Sequence, residues 1–568
     1  MQKELLRLSA ANEGDLCSGF RLVKKEYVPS KHADLYTMRH EKTKAELLYF
    51  ARADENKTFA IAFKTLPEDD TGVFHILEHS VLNGSRRFPV REPFVNLLQS
   101  SMQTFLNAMT YPDKTVYPVC SRNDKDFHNL MEVYLDAVFC PAIYEKPQIF
   151  MQEGWHYEFD SEDAEPYYNG VVYSEMKGAF SDVSELMETE SMRLLFPDSS
   201  YGFVSGGHPE SIPKLTYEQF IANHKRYYHP SNTRIFLDGK MDIDEILRYI
   251  DGEYLSKYDY RAPDFDFTVQ KQVVGEKTVS YSVKPGEEAK AHMVFSKLLC
   301  AHDEPEKVLA ANVLAKYLTG SNEAPLKRTF LEQALCQDIS LQVNDGIFQP
   351  YITLTIRNTE QEKFAQVEDC LRSSVQDILS GGLDREALLA ELERMAFTSR
   401  EIEEPYGLIL GLTALDGWLY GDDPLTYIET AGIYDALRQK ADTGYFADLL
   451  REMLGDTRTL CKVCLLPSET KAQEDQQAEK ARLEADIARW DHAAREKAYA
   501  DFQVMHQWQE TPDSPEALAT LPTLTLGDVS EDVAPISVKP EKEKLLRVET
   551  ESNGITYVNL FFDVSDFD

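Results

Sequence analysis

The sequence predicts an α+β chain in which two sets of strands and helices follow one another. Three observations carry that reading. Residues 20–65 read as strands that end in the apolar run Ala60-Ile61-Ala62-Phe63. Residues 126–139 place Phe127, Leu130, Val133, Tyr134 and Val138 at helical spacing. After the Pro- and Asp-rich Arg261-Ala262-Pro263-Asp264, a second series repeats the order of strand and helix without visible sequence identity to the first.

The strands of the first series lead into His75-Ile76-Leu77-Glu78-His79, which is H-x-x-E-H. On a helix, His75 and His79 are four apart and share a face, so two imidazole nitrogens can converge on one Zn²⁺. Glu78 then stands beside the metal, where a carboxylate can take a proton from an activated water in amide hydrolysis. The order is the inverse of H-E-x-x-H, the inverzincin arrangement. Thr71 is expected to cap this helix, Phe74 and Leu77 to give it an apolar side, and Asn83-Gly84 to end it. Two core or solvated histidines are the bland alternative, and the buried, bounded helix favours metal.

A catalytic zinc needs a third protein ligand and an open fourth position. The candidates follow Gly170, where a short apolar run leads into an amphipathic stretch reaching Leu195. Spacing alone leaves Glu175, Glu185, Glu188 and Glu190 open, and Glu175 also fits a plain acid at a helix N-terminus. His156, His208 and His229 are expected to be structural or outer groups. Residues 205–207 lack the Lys-Ser/Thr ending and preceding strand of a phosphate loop, which argues against nucleotide.

The first domain is assigned to 1–260 and the second to 261–465. The second opens with the alternating Val279, Tyr281 and Val283, then predicts a helix over 304–318, a strand over 352–356 and helices over 361–379 and 385–400. Cys461 and Cys464 form the one C-x-x-C, in an alternating segment, and read as strand thiols. Residues 466–511 are charged and Ala-rich, with Leu483, Ile487 and Trp490 at helical spacing. The remainder, 512–568, reads as a Pro-, Thr- and acid-rich linker followed by an apolar strand over 554–562.

At 568 residues the chain has room for several domains, and 43% hydrophobic with 27% charged residues is a globular composition. Against 59 Lys and Arg stand 96 Asp and Glu, a net charge of −37, which disfavours nucleic acid and anionic membrane and draws in basic peptides. No stretch approaches a membrane span. The N-terminal segment lacks a signal-peptide core, and Glu4, Glu13 and Asp15 make it unlike an acid-poor transit sequence. With eight scattered cysteines, a reducing cytoplasm is the expected compartment.

Seven separated blocks extend the motif: HILEHSVLNGS from His75, REPF from Arg91, TFLNAMTYPDKTVYPV from Thr104, DFHNLMEVYLDAVFCP from Asp126, QEGWHYE from Gln152, GVVYSEMKG from Gly170 and YHPSN from Tyr228. Together they resemble the pitrilysin (insulinase) superfamily of zinc metallopeptidases, in the branch of presequence protease and falcilysin. The resemblance implies one Zn²⁺ per chain on His75, His79 and Glu175, with Glu78 as base. It also implies that the strand of Asn107 and Ala108 holds the substrate backbone by β-strand addition; a turn residue is the alternative for Asn107.

The fold implied is that of mitochondrial processing peptidase-like metallohydrolases. Two homologous α+β domains are each an antiparallel sheet backed by helices, only the first with metal, and a helical hairpin follows over 466–511. Members of this branch continue with a second half of similar size. The chain is therefore expected to be an N-terminal half, weakly active or inactive alone, whose partner is the C-terminal half of the same enzyme and whose 554–562 strand opens that half. The function expected is a zinc endopeptidase of short unfolded peptides. The alternatives are a non-catalytic peptide-binding or processing subunit, and a small-molecule zinc hydrolase, which would leave the strand of Asn107 without a task.

Overall fold

The computed structural model describes residues 6–288, 290–530, 536–542, 545–550 and 552–565. In chain order the first domain contains β1 (Leu16–Cys17), β2 (Phe20–Val28), β3 (Ala33–His40), β4 (Glu46–Ala51), β5 (Lys57–Lys64), α1 (Val73–Val81), α2 (Pro93–Ser100), β6 (Gln103–Leu106), β7 (Met109–Thr110) and β8 (Lys114–Ser121). It continues with α3 (Asp124–Phe139), α4 (Pro147–Glu153), a small ribbon of β9 (His156–Glu158) and β10 (Tyr167–Asn169), α5 (Val171–Ala179), α6 (Val183–Leu195), α7 (Tyr217–Tyr227), β11 (Thr233–Asp238) and α8 (Ile243–Glu253). The large sheet runs β1-β2-β3-β4-β11-β5-β8-β6, with β7 also on β8. Strand β5 lies inside it and is buried from Lys57 to Phe63, the continuous apolar pattern of a strand covered on both faces. Its Phe59, Ile61 and Phe63 meet α1 and α3 in the main core, while Ala60 and Ala62 face the other way.

The second domain contains β12 (Glu276–Ser282), β13 (Ala291–Leu298), α9 (Pro305–Thr319), α10 (Pro325–Glu332), β14 (Asp338–Asn344) and β15 (Tyr351–Thr359). There follow α11 (Phe364–Gly381), α12 (Arg385–Thr398), α13 (Tyr406–Trp418), α14 (Ala431–Lys440), α15 (Tyr445–Leu454) and β16 (Cys461–Ser468). Its sheet runs β12-β16-β13-β15-β14. Ranked by position in the chain, that order is first-fifth-second-fourth-third, and β4-β11-β5-β8-β6 in the first domain has the same order. Both sheets are antiparallel except for the matching first–fifth pair, β4 with β11 and β12 with β16, which is parallel. The expectation of antiparallel sheets is corrected at those two pairs. A fifth strand that returns from the helical layer enters beside the first strand in the same direction.

The two domains exchange a helix. From the first, α6 lays Met187 on Tyr281, Val294, Val463 and Leu465 of the second sheet, with Met192 and Leu195 packing beside Tyr351 and Cys461. From the second, α13 lays Tyr406, Leu410, Ala414 and Trp418 on the free face of the first sheet, against Leu48, Ala60, Ala62 and Phe236.

Helices α16 (Lys471–Ile487) and α17 (His492–Glu510) then fold back on the first domain, where Trp490 meets the Tyr157 ring at 4.8 Å and Tyr168 donates to Asp486 at 2.7 Å. Beyond them, a single helical turn at Pro515–Leu518 and a hairpin of Val538–Lys542 with Leu545–Val548 interrupt the expected linker. Residues 554–562, expected as a strand, form none: among the described residues no strand pairs with them, and Phe561 and Phe562 are 93% and 79% exposed. No helix among the described residues is long and apolar enough to cross a membrane.

Candidate active site

Helix α1 starts at Gly72, not at Thr71 as expected. Gly72 has φ of +66°, and a Cβ there would lie 2.5 Å from the Gly206 carbonyl oxygen, so a loop can press against the helix entrance only at glycine. Thr71 instead donates its hydroxyl to Asp69 Oδ1 at 2.5 Å. Phe74, Ile76, Leu77 and Val81 sink into the core. His75, Glu78 and His79 lie together, their ligand atoms within 4.8 Å of one another.

Glu175 reaches them from α5. The helix begins at Gly170, φ +148°, where a Cβ would meet the Gly154 carbonyl oxygen at 2.3 Å; this contact seats α5 on the end of α4. Glu175 Oε2 then stands 3.7 Å from His75 Nε2 and 3.7 Å from His79 Nε2. The other acids left open by spacing belong to a separate helix, α6, that faces the second sheet. Glu190 pairs with Lys277 and Arg193, Glu188 lines a cavity against β14 and β15, and Glu185 accepts from Thr189.

Both imidazoles are held through their Nδ1 atoms, His75 at 3.0 Å from the Gly206 carbonyl and His79 at 3.3 Å from Glu153 Oε2. Donation of the Nδ1 protons to these oxygens turns the Nε2 lone pairs toward Glu175. Burial disfavours charge on His79, but the Glu153 hydrogen bond and the charges of Glu78, Glu153 and Glu175 outweigh it and raise its pKa. Ligands on one tetrahedral zinc lie about 3.4 Å apart. Two oriented imidazoles and a carboxylate at 3.7 Å therefore fit that ion closely.

Glu78 accepts from Thr110 Oγ1 at 2.9 Å, which occupies Oε2 and leaves Oε1 for chemistry. Beneath it the Tyr117 and Tyr228 hydroxyls meet at 2.8 Å; burial pushes both phenols far up, with the Glu78 charge adding, so both stay neutral. Asn107 and Ala108 join β6 to β7 at the edge of the large sheet, where Tyr134 donates to the Asn107 carbonyl at 3.1 Å. With Glu78, His79, Phe94, Val95 and Val171 they line a cleft of about 390 Å³.

Of the residues named from the sequence, Glu78, His79, Asn107 and Ala108 line this cleft, and His75 joins them through Glu175. Glu153, Thr110, Tyr134 and the Gly206 carbonyl are not singled out by the sequence; the quoted blocks contain three of them, but nothing in a block says which member faces the site. His156 binds Glu158 and the Met151 carbonyl, His208 stacks on Phe180, and His229 caps Ser231, all outside the cluster.

Comparison with known proteins gives matches along the chain. Residues 66–177 match Insulinase (Peptidase family M16), 214–395 match Peptidase M16 inactive domain, and 465–568 match the region associated with subfamily C of the same peptidase family. Protein HypA of Clostridium perfringens is 39% identical over 97% of this chain and 58% of its own length. Presequence protease 1, chloroplastic/mitochondrial, of Arabidopsis thaliana is 34% identical over 96% of this chain and 52% of its own length. The chain spans about half the length of the curated relatives it matches. Among solved structures, a protease from Helicobacter pylori aligns with a TM-score of 0.60 at 13% identity, covering 76% of this chain and 99% of that one. Pitrilysin aligns with a TM-score of 0.55 at 14% identity, covering 82% and 50%. These two share the fold.

Proposed function

Because the chain belongs to the insulinase family, peptidase family M16, we propose that it is a zinc endopeptidase of short unfolded peptides, with His75, His79 and Glu175 holding one Zn²⁺ and Glu78 as general base. The convergence of two Nδ1-anchored imidazoles on the Glu175 carboxylate carries this reading. Zn²⁺ in that place supplies Lewis-acid polarisation of the scissile carbonyl and activates water at neutral pH. Glu78, steadied by Thr110, takes the water proton on its free oxygen and passes it to the leaving amine. The edge formed by β6, Asn107 and Ala108 aligns an extended peptide by main-chain hydrogen bonds, and Phe94, Val95 and Val171 give the cleft an apolar wall. An alternating edge selects extended chain, which a folded substrate cannot offer.

The net charge of −37 favours basic peptides. The C-terminal half of the same enzyme is the proposed partner, closing the cleft and stabilising the tetrahedral intermediate, so the chain alone is expected to be a weak catalyst. The test is zinc content together with cleavage of an unstructured basic peptide, with Glu78→Gln as control. One zinc per chain in both proteins, and cleavage by the parent alone, are expected. Zinc well below one per chain would sink the reading. Equal cleavage by the Glu78→Gln variant would remove Glu78 from its role.

A further inference from the structure

His75 owes its orientation to one backbone carbonyl, that of Gly206, on a loop over 204–208 that contains two glycines and has no regular structure. What holds the loop therefore holds the imidazole. Asp70 does so twice: its Oδ1 accepts from the Val204 N–H at 2.8 Å, and its carbonyl accepts from the His208 N–H at 2.8 Å. The loop is wedged between Gly72 at the entrance of α1 and Met176, the neighbour of Glu175, whose Cε would lie 2.9 Å from a Cβ at Gly206.

The second carboxylate oxygen of Asp70 leads away from the site. Arg193 Nη2 donates to it at 2.9 Å, and Arg193 Nη1 lies 3.6 Å from Glu190 Oε1. Glu190 is buried, and its other oxygen is paired with Lys277 on β12 of the second domain. Arg193 and Glu190 both stand on α6, the helix that packs on the second sheet. The route from β12 to the His75 ring is continuous: Lys277, Glu190, Arg193, Asp70, the 204–208 loop, His75.

We propose that this chain of ion pairs is a strut through which docking of the second domain fixes the 204–208 loop and with it the metal-binding orientation of His75, Asp70 being the positioning residue. The inference rests on the zinc reading above. Without the anchored loop, the His75 Nδ1 proton has no fixed acceptor, the ring is free to turn, and the Nε2 lone pair leaves the direction of Glu175. Losing an outer partner of this kind costs roughly 10- to 100-fold in metal affinity. A partly exposed ion pair further out contributes less, about threefold.

The experiment measures zinc affinity of the full chain by competition with a chromophoric chelator, and the visible spectrum of the Co²⁺-loaded chain. Asp70→Ala is expected to weaken zinc at least about tenfold and to change the Co²⁺ bands. Asp70→Asn, which keeps the Val204 acceptor and loses the charge, is expected to match Arg193→Met at about threefold, with no further loss in the double variant. Lys277→Met, a half-exposed change in the other domain that leaves the fold intact, is expected to weaken zinc in the same direction. Zinc affinity of Lys277→Met and Arg193→Met within error of the parent would overturn the strut, as would an Asp70→Ala chain with parental affinity and Co²⁺ spectrum. A parent chain that binds no zinc would instead overturn the site reading, so the two failures are distinguishable.

Discussion

Helix α1 follows the second strand of the first five-strand series, and α9 follows the second strand of the other, in sheets of the same order. The difference lies in what each helix does with the side chains that are not needed for packing. Helix α9 buries Val308, Ala310, Ala311, Val313, Leu314, Ala315 and Leu318 and carries neither histidine nor a paired carboxylate at its buried face. Helix α1 buries one apolar side and leaves His75 and His79 partly open, 12% and 26% exposed, beside Glu175. One architecture has been used once as a site and once as a scaffold. The chemistry is therefore a property of a few side chains and their outer partners, which the fold permits but does not dictate.

The sharpest way to break that contrast is to remove a ligand from one helix and a polar group from the other. A zinc site is worth about 10 to 16 kcal/mol over its ligands, so His79→Ala is expected to weaken zinc by roughly a thousandfold or more. Asn312→Ala on α9, where the side chain bonds only the Val308 carbonyl and Asp345, is expected to leave zinc affinity unchanged. Chelator competition reads both, and any zinc deficit in Asn312→Ala would mean the second domain contributes more directly than its residues suggest.

The exchanged helices extend the comparison to stability. Leu410 on α13 and Met187 on α6 are 3% and 4% exposed, each against the other domain's sheet. Leu410→Ala and Met187→Ala are each expected to cost about 2 to 4 kcal/mol. Since each helix belongs to one domain and covers the other, both variants should unfold in one transition. Two separate transitions in calorimetry would show that the domains are independent bodies that merely touch.

Asp416, also on α13, makes this interface pH-dependent. Burial pushes its carboxyl up to about 7, Lys114 opposing and Asp345 and Asp113 adding. A carboxyl whose pKa is higher in the folded than in the unfolded chain, here against 3.8, contributes stability that is present below about pH 4 and is lost as pH rises through 7. Asp416→Asn is expected to stabilise the chain by about 2 kcal/mol at pH 8 and to bring no gain near pH 4. Thermal melts across that range check the slope, and a parent chain that becomes more stable from pH 4 to pH 8 relative to the variant would contradict it.

Legibility follows the range of the interaction. The i,i+4 spacing of His75 and His79 is local, and so are the strand alternation around β5 and the helical period of α3. The Gly206 carbonyl is 131 residues from His75 and Glu153 is 74 from His79, and no period or spacing links them. The exchange of α6 and α13 is invisible in the sequence for a related reason: an amphipathic helix announces that it has a buried face, not which sheet will cover it. The helix start is misplaced because Thr71 is a good cap chemically, whereas the constraint at Gly72 is steric and is imposed by a loop far along the chain. In the same way the apolar run over 554–562 has a strand's pattern, but a strand exists only where a neighbour supplies hydrogen bonds.

The finest test concerns a single hydroxyl. Thr110 follows the Asn107-Ala108 edge, pairs with Thr115 on β8, and donates to Glu78. It thereby ties the substrate-aligning edge to the base, a link for which α9 offers no counterpart. Thr110→Val keeps shape and strand propensity and removes the donor. A hydrogen bond to a charged group is worth about 1.5 to 3 kcal/mol. If that bond serves to aim Glu78, kcat should fall roughly tenfold or more. KM and zinc affinity should hold, because neither the edge nor the three ligands has moved, and Thr110→Ser should restore the rate. A loss that appears in KM with kcat intact would instead assign Thr110 to the substrate edge, and the base would then be held by its helix alone.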